Sequence, residues 1–444
     1  MRVTLLGHAS LVVQAPDACV FVDPVFSDPF QGDLVVSCPR REVDVDALPR
    51  PDAVILSHGH LDHFHPPSLR RMDRRTPVFC PPDRALAKAL ALEGFSDVTM
   101  LTDASLRRVG ALEWRPTPSD GPAVEMGIMF RSQEGTVWNV VDTVVTQRIV
   151  VEALEWLDGE LDVAFCAYRP LLEHASMWVD ESGFPRERYE RLLEMAICTR
   201  ARTVIPGSAG LRAADHHGWL NHRIFPVSRE EFVRDLNAVA PELRTQLLNP
   251  GEALVLRKGA DPVVEDSRWA RTVELDEDRV AFDPEGHPAP PLVDENSHRY
   301  REPVMRDAIT TLMEEHFPRA MRNTLTWRTT GPLRTLWDRR AALQVDVVFP
   351  STTESWHVAQ WSPFTLERGA HPDADYTFQY VASQIHGYAR GNWRQTPRVV
   401  ARRRRGIAKG AFRFSALDPA RLHDVDQYLV VDETFEWNPL ALLA

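Results

Sequence analysis

The chain has 444 residues, of which 44% are hydrophobic and 26% charged, so disorder cannot be its dominant state and its length predicts two domains. Its net charge of −12, from 51 Lys plus Arg against 63 Asp plus Glu, argues against an extended nucleic-acid-binding surface. Five scattered cysteines, a polar N-terminus and the lack of any apolar run of about 18 residues predict a cytoplasmic protein without a membrane span.

The first half of the chain alternates short strands with helices. Three apolar runs at the start, 3–6, 11–14 and 19–23, predict an antiparallel opening, and Ala53–Leu56 predicts a strand buried on both faces. Further predicted strands are 97–101, 112–115, 127–131, 137–142 and 203–205, and predicted helices are 83–93, 186–200 and 229–239. This alternation is typical of an α/β domain, which we place at residues 1–257.

The second half begins with a change of composition. Residues 258–297 are acidic and carry several prolines, which predicts a linker. Beyond it, helical periodicity at 303–317 and 375–388 and strand-like runs at 342–349 and 356–361 predict a small α+β domain. This domain, at 298–444, has no role that the sequence reveals.

A histidine-rich segment directly follows the buried strand. In Ser57-His-Gly-His-Leu-Asp-His-Phe-His65, four of the chain's sixteen histidines fall within eight residues. Positions i and i+2 of extended backbone point the same way, so His58 and His60 can bind one cation. Asp62 and His63 follow as the chain turns and can bind a second cation. The spacing therefore predicts a metal site.

The pattern His58-x-His60-x-Asp62-His63 after a hydrophobic strand resembles the signature of the metallo-β-lactamase superfamily. Gly7-His8-Ala9-Ser10 and Val22-Asp23-Pro24 resemble the branch with ascorbate-phosphate lactonases, N-acyl-phosphatidylethanolamine phospholipase D and sialic-acid nucleotide hydroxylases. The resemblance covers roughly residues 1–257. It implies a four-layer αβ/βα sandwich and two metal ions.

The resemblance also implies ligands later in the chain. Asp142, at the end of a predicted strand, matches the metal-bridging aspartate of the family. The histidine that normally precedes it is absent, and Asp120 is our candidate replacement, with Glu125 as the weaker alternative. The family's last ligand is usually a histidine after a late strand, where Ser208 stands in this chain.

Several further histidines are candidates for these places. His216 or His217 can reach the metals from a longer loop, or that loop is instead a surface or substrate-lining segment. His222 is a weaker candidate than these two. Together with His8 and His174, it is expected to contact substrate or to support the ligands.

Two cations bridged by a carboxylate lower the pKa of a shared water and polarise a carbonyl or phosphoryl oxygen. Asp62 and Asp142 would position this nucleophile and handle its proton. We therefore expect a hydrolase that attacks an ester-like bond of a small molecule, whether ester, thioester, lactone or phosphodiester.

Two alternatives stay open. An additional carboxylate ligand favours iron over zinc and manganese, and a few family members resemble this case as di-iron oxygenases. The chain has no C-x-H or C-x-x-H pair, so an oxygenase would need a separate electron donor. The other alternative is a non-catalytic scaffold with a degenerate metal site. The sequence leaves open whether the chain forms a homo-oligomer.

Overall fold

A computed structural model describes residues 1–31, 35–102, 104–121, 123–158, 160–170, 183–224, 227–288, 290–323, 340–390 and 399–403. The described chain divides into two compact units, the first within Met1–Leu171 and Phe184–Phe282 and the second from Asp283 onward. No helix in the described ranges is long and apolar enough to cross a membrane.

The first unit contains most of the strands. They are β1 (Arg2–Gly7), β2 (Ser10–Ala15), β3 (Ala18–Val22), β4 (Val35–Ser37), β5 (Arg40–Val43), β6 (Ala53–Ile55), β7 (Val78–Cys80), β8 (Val98–Met100), β9 (Arg107–Val109), β10 (Leu112–Pro118), β11 (Met126–Ser132), β12 (Gly135–Val141), β13 (Val163–Cys166), β14 (Thr203–Pro206), β15 (Leu211–Ala213), β16 (Arg244–Thr245), β17 (Glu252–Val255), β18 (Val263–Asp266) and β19 (Ala270–Glu274).

Two large sheets are built from these strands. The first has the order β18-β17-β1-β2-β3-β6-β7-β8, and the second has the order β16-β14-β13-β12-β11-β10-β9. The opening strands β1 to β3 pair antiparallel, as predicted, and β6 then joins β3 in parallel. Two small pairs, β15 with β4 and β19 with β5, lie outside these sheets.

Helices accompany the two sheets. They are α1 (Pro66–Leu69), α2 (Arg84–Leu92), α3 (Gln147–Trp156), α4 (Arg186–Cys198), α5 (Asn221–Ile224) and α6 (Arg229–Val239), with 3₁₀ turns at Val45–Ala47, Asp215–Leu220 and Glu277–Val280. The Asp83 side chain accepts hydrogen bonds from the backbone N–H groups of Ala85 and Leu86, which fixes the start of α2.

The buried side chains form three apolar layers around the sheets. The inner faces of both sheets share one core, in which Ile55 packs with residues such as Trp114 and Phe165. Val54 points to the opposite face, where it joins a core with α1 and α2. The outer face of the second sheet packs on α3, α4 and α6. The first unit is thus the four-layer αβ/βα sandwich expected from the sequence.

The predicted linker differs from what the structure shows. Strand β18 pairs with β17 and β19 pairs with β5, so residues 263–274 belong to the first unit. Asp276 and Glu277 are buried and form ion pairs with Arg212 and Arg229 respectively. Composition did not reveal these two strands because both are short and carry charged residues, as edge strands commonly do.

The second unit is a five-stranded sheet with helices. Its elements are α7 (Glu302–Thr311), a π-helical turn (Leu312–His316), α8 (Phe317–Asn323), β20 (Leu343–Val348), β21 (Thr353–Trp361), β22 (Phe364–Arg368), β23 (Tyr376–Val381), α9 (Ala382–Ala389) and β24 (Val399–Arg403). The sheet order is β22-β21-β20-β23-β24. Its core joins Val345, Trp356 and Phe378 of the sheet to Met305 and Ile309 of α7.

Candidate metal centre

Strand ends of the first unit bring the histidine-rich segment together with distant carboxylates. Strands β3 and β6 are parallel neighbours, with Val22 opposite Ile55, so their carboxyl ends lie at one edge of the first sheet. Asp23 follows β3 there, and Ser57–His65 follows β6. Asp142 directly follows β12 of the second sheet and lies against the same segment.

The side chains form two overlapping groups of potential metal ligands. His58, His63 and Asp142 form one, and His8, Asp62 and His63 form the other, with one ligand atom per residue within 4.8 Å of the rest of its group. In the first group, Asp142 Oδ2 lies 3.8 Å from His58 Nε2 and 3.3 Å from His63 Nε2. In the second, Asp62 Oδ2 lies 3.3 Å from His8 Nε2 and 3.6 Å from His63 Nε2.

His60 lies beside the first group. Its Nδ1 is 3.0 Å from Nε2 of His58, and the two ring centroids are 4.5 Å apart. The expected common direction of these two side chains is therefore present. The backbone N–H groups of His63 and Phe64 donate to the carbonyl oxygen of His60, which turns the chain and places His63 beside His58.

Asp23 and Ser57 support the histidines from beneath. Asp23 accepts hydrogen bonds from the backbone N–H of Ser57 at 2.7 Å and from its hydroxyl at 2.6 Å. Its Oδ2 also lies 2.8 Å from His63 Nδ1, and Ser57 Oγ lies 2.9 Å from His58 Nδ1. Both rings are thereby fixed through Nδ1, so that Nε2 of each ring is the nitrogen turned toward Asp142.

These two residues were missed as site residues at the sequence level. The signal was present for Asp23, in Val22-Asp23-Pro24 after the third strand, but only the register of β3 against β6 brings it under the histidines.

The electrostatics of the site act differently on its two buried histidines, His58 and His63. Burial, together with His63 and His60, holds the pKa of His58 well below its usual range, so its ring is neutral. Burial would lower the pKa of His63 too, but Asp62, Asp23 and Asp142 together hold it well above its usual range. Binding of a cation would therefore displace a proton from His63.

The surroundings of Asp62 and Asp142 favour the ionised form of both carboxylates. Burial alone would raise the pKa of Asp62, yet His63 and His8 hold it well below the usual range. Burial likewise opposes ionisation of Asp142, but His63 and His58 keep its pKa low. The site thus combines imidazole nitrogen with carboxylate oxygen, the donor set of zinc, iron and manganese.

Unpaired nitrogens in the same cluster are consistent with a cation. His63 Nε2 and both ring nitrogens of His8 are buried and have no hydrogen-bond partner among the described residues. Buried polar atoms are normally paired, so three orphaned nitrogens facing two carboxylates need an explanation, and a coordinated metal ion provides one.

The structure does not bring Asp120 into either group. Its carboxylate is 38% exposed and pairs with Arg148 Nη2 at 3.2 Å, and its backbone N–H donates to the Val144 carbonyl oxygen. Glu125, the weaker alternative, is closer to the cluster: burial raises its pKa, and the charges of Asp142 and His60 also act on it. The Ser119 hydroxyl donates to Glu125 Oε1 at 2.7 Å.

The remaining candidate residues lie outside the two ligand groups or outside the described part of the chain. Ser208 is buried after β14, and its hydroxyl has no hydrogen-bond partner among the described residues. The His222 ring contacts the carbonyl oxygen of Ala281 at 2.8 Å and belongs to neither group. His174 lies outside the described residues, as do the side chains of His216 and His217.

The sequence is similar to known proteins of the β-lactamase superfamily and to metal-dependent hydrolases. Residues 19–182 match the model of the β-lactamase superfamily domain. A protein of Mycolicibacterium smegmatis, provisionally named as a Rieske 2Fe-2S iron–sulfur protein, is 27% identical over 179 residues, 38% of this chain and 34% of its own length. The match spans about a third of that relative. A UPF0173 metal-dependent hydrolase of Methanopyrus kandleri is 24% identical over 265 residues, 57% of this chain and 99% of the relative.

Solved structures with a similar chain path include an isothiocyanate hydrolase from gut bacteria of Delia radicum. It is 18% identical with a TM-score of 0.42, and the match covers 58% of this chain and 99% of that one. The diiron β-hydroxylase CmlA from Streptomyces venezuelae is 16% identical with a TM-score of 0.41, covering 58% of this chain and 54% of its own.

Proposed function

The chain carries a domain of the β-lactamase superfamily, as its histidine motif predicted, and on this premise we propose that it is a metal-dependent hydrolase with two divalent cations. The observation that carries the proposal is the pair of ligand groups that share His63 at one edge of the sandwich. The match to a UPF0173 metal-dependent hydrolase over nearly that relative's whole length supports the same reaction class.

In this proposal His58, His60 and Asp142 hold one cation, and Asp62 and His63 hold the other. Asp142 stands close to both His58 and His63, which suits a carboxylate that serves both cations. When bound, such cations supply Lewis acidity, which lowers the pKa of water and polarises a carbonyl or phosphoryl oxygen.

The chain's own carboxylates orient the attacking water. The side chain of Asp142 is 26% exposed and that of Asp62 is 13% exposed, whereas the ring of His63 is fully buried. The carboxylates therefore face the open side of the site, where they can accept hydrogen bonds from water. Their low pKa values keep them available as acceptors at neutral pH.

The substrate is expected to be a small molecule with an ester-like bond, whether ester, thioester, lactone or phosphodiester. The polarised oxygen of any of these groups gains negative charge as the bond breaks, and the cations stabilise this charge. A chain with a net charge of −12 is unsuited to an extended polyanion as substrate.

The second candidate function is a non-heme di-iron oxygenase. The observation that favours it is Glu125, a further carboxylate within electrostatic range of Asp142 and His60, because carboxylate-rich shells favour iron. An oxygenase would take electrons from a separate donor protein, and the relative named as a Rieske protein supports a redox setting.

Metal analysis and turnover assays test the proposal. The reconstituted chain should bind two equivalents of metal and hydrolyse a member of an ester, thioester, lactone and phosphodiester panel without oxygen. Product that forms only with oxygen and an electron donor would favour the oxygenase. Fewer than one bound equivalent would favour a scaffold with a degenerate site.

Substitutions test which residues hold the metal ions. His60→Ala or Asp142→Ala should lose metal and lower turnover at least about a hundredfold. Glu125→Gln should weaken metal binding, whereas Asp120→Asn, a matched change of an exposed carboxylate, should not. Unchanged activity in both His60→Ala and Asp142→Ala would contradict the assignment of the site.

A further inference from the structure

We propose that His8, in the turn between β1 and β2, is a direct ligand of the cation that Asp62 and His63 hold. The inference rests on the proposed two-cation function and deepens it, because it names the protein nitrogen that completes the second site. The cation that fits is one that accepts mixed imidazole and carboxylate ligands, such as zinc, iron or manganese.

The distances suit one shared cation. A metal ion with ligands at roughly 2.0–2.2 Å keeps adjacent donor atoms about 3 to 3.5 Å apart. His8 Nε2 lies 3.3 Å from Asp62 Oδ2, and His63 Nε2 lies 3.6 Å from the same oxygen. The rings of His8 and His63 meet edge to face, with centroids 4.9 Å apart.

The buried environment of His8 suits coordination of a metal ion. Its side chain is 1% exposed, and neither ring nitrogen has a hydrogen-bond partner among the described residues. A buried imidazole with both nitrogens unpaired is unfavourable, and coordination to a cation would remove this cost for one of them.

The fold holds His8 in this place at some conformational cost. The backbone of His8 has φ +50°, a left-handed conformation that few residues other than glycine adopt. Gly7 before it has φ +122°, and a side chain there would collide with Arg41. Arg41 Nη1 donates to the carbonyl oxygen of Leu6 at 2.5 Å, so a fully buried guanidinium anchors the start of the turn.

The other end of the turn is tied to the support of the histidines. The Ser10 hydroxyl donates to the carbonyl oxygen of Asp23 at 2.5 Å and accepts from the backbone N–H of Val25. Asp23 in turn binds His63. From the opposite side Gly210 packs on His8, since a Cβ there would lie 3.1 Å from His8 Cα. His8 and His63 are therefore positioned by one connected set of contacts.

The turn at 207–210, directly after β14, contains no histidine. Ser208, which follows β14, contributes only a hydroxyl, and this hydroxyl is itself buried and unpaired within the described residues. Among the side chains that the structure describes, His8 of the first sheet supplies the imidazole that joins Asp62 and His63 in one group.

The experiment compares metal stoichiometry in full-length variants. Asn tolerates the left-handed conformation, so His8→Asn removes the imidazole while suiting the turn. His386→Asn is the matched control, because His386 is a buried histidine of the second unit. By calorimetric titration with Zn²⁺, the unmodified chain and His386→Asn should each bind two equivalents. His8→Asn should bind one, with the second weakened at least about a hundredfold, beyond the loss typical of a residue that only supports a ligand.

Anomalous diffraction from crystals of the unmodified chain soaked with Zn²⁺ gives a readout that does not depend on the variant folding. A zinc peak within about 2.0–2.2 Å of a His8 ring nitrogen and beside Asp62 and His63 would support the inference. A peak at Asp62 and His63 with His8 beyond bonding distance, or two unchanged equivalents in His8→Asn, would overturn it and leave the two-cation function standing. Fewer than two equivalents in the unmodified chain would instead contradict the proposed function itself.

Discussion

At the scale of single residues, Asp23 determines how the histidines present their nitrogens. It binds the Ser57 backbone, the Ser57 hydroxyl and His63 Nδ1 at once, and it lies fully buried. A carboxylate behind a metal-bound imidazole fixes the orientation of the ring and raises the basicity of the ligand. Asp23 is therefore a positioning residue rather than a ligand in the proposed centre.

Asp23→Asn should weaken metal binding about 10- to 100-fold, because an amide cannot stabilise the His63 ring as an anion does. The measurement is the zinc dissociation constant by competition with a chelator. Asp52→Asn is the control, since Asp52 accepts a backbone N–H from Cys19 at 2.9 Å and touches no histidine. Equal affinities in the two variants would show that Asp23 has no special role.

The sequence predicted the cluster where the signal is local and missed what depends on pairing between distant segments. Six residues after one buried strand contain His58, His60, Asp62 and His63, and Asp142 ends another predicted strand. Spacing and strand position were therefore enough to identify these residues as candidate ligands. Whether Asp120 or Glu125 faces the cluster depends on how the loop between β10 and β11 folds. Asp120 N–H donates to the Val144 carbonyl oxygen of a distant segment, and no local pattern in the sequence predicts such a contact.

At the scale of elements, the cysteines differ according to the element that carries them. Cys19, Cys80 and Cys166 lie in strands and Cys38 lies beside β4, and burial raises the pKa of all four thiols to about 12. Cys198, the last residue of α4, is exposed. The thiolate is the reactive form, so the four buried thiols should be inert in the native fold.

Titration of the native chain with a chromogenic disulfide should therefore detect one fast thiol, and the other four only after denaturation. Cys198→Ser should abolish the fast phase and leave the denatured count at four. A second fast thiol in the native protein would show that one of the strand cysteines is accessible.

The turn at 277–280 is attached to the first unit through buried charges. Asp276 pairs with Arg212, and Glu277 pairs with Arg229 and lies 3.5 Å from Arg169 Nη2. Removing one partner leaves the other charge buried, so Asp276→Ala should lower the free energy of unfolding by about 3–5 kcal/mol.

Glu274→Ala is the matched control for this prediction. Glu274 pairs with Arg279 in the same segment, but the two side chains are 39% and 45% exposed, so the loss should stay within about 0–1 kcal/mol. The measurement is chemical denaturation of both variants. Equal midpoints would contradict the structural role of the Asp276 pair.

Element types were predictable where the apolar period was unambiguous. The strands around residues 3–23 and 53–56 and the helices near 83–93 and 229–239 occur close to their expected bounds. The expected helix at 375–388 is wrong in its first half, which forms β23 (Tyr376–Val381), and only Ala382–Ala389 is helical. Tyr376, Phe378 and Tyr380 alternate with polar residues, a period of two that favours a strand over the helix that follows.

At the scale of the whole molecule, the division between the units after Phe282 lies inside the predicted linker 258–297, whose first part belongs to the first unit. The described ligand groups, both large sheets and the buried pairs of Asp276 and Glu277 all fall within the first unit, which ends at Phe282. A boundary at residue 257 would remove β18 and β19 from their partners β17 and β5. It would also leave the guanidinium groups of Arg212 and Arg229 buried without these carboxylates.

Truncation tests this boundary. A fragment of residues 1–282 should unfold cooperatively and bind as much metal as the full chain, because every described ligand and its support is retained. A fragment of residues 1–257 should be less stable by several kcal/mol, since two buried ion pairs at about 3–5 kcal/mol each lose one partner and two strands lose their pairing. The measurements are thermal unfolding and metal stoichiometry of both fragments. If the two fragments have the same thermal stability and metal stoichiometry, the segment from 258 to 282 contributes nothing to the first unit. If neither fragment binds metal while the full chain does, the centre needs residues beyond Phe282.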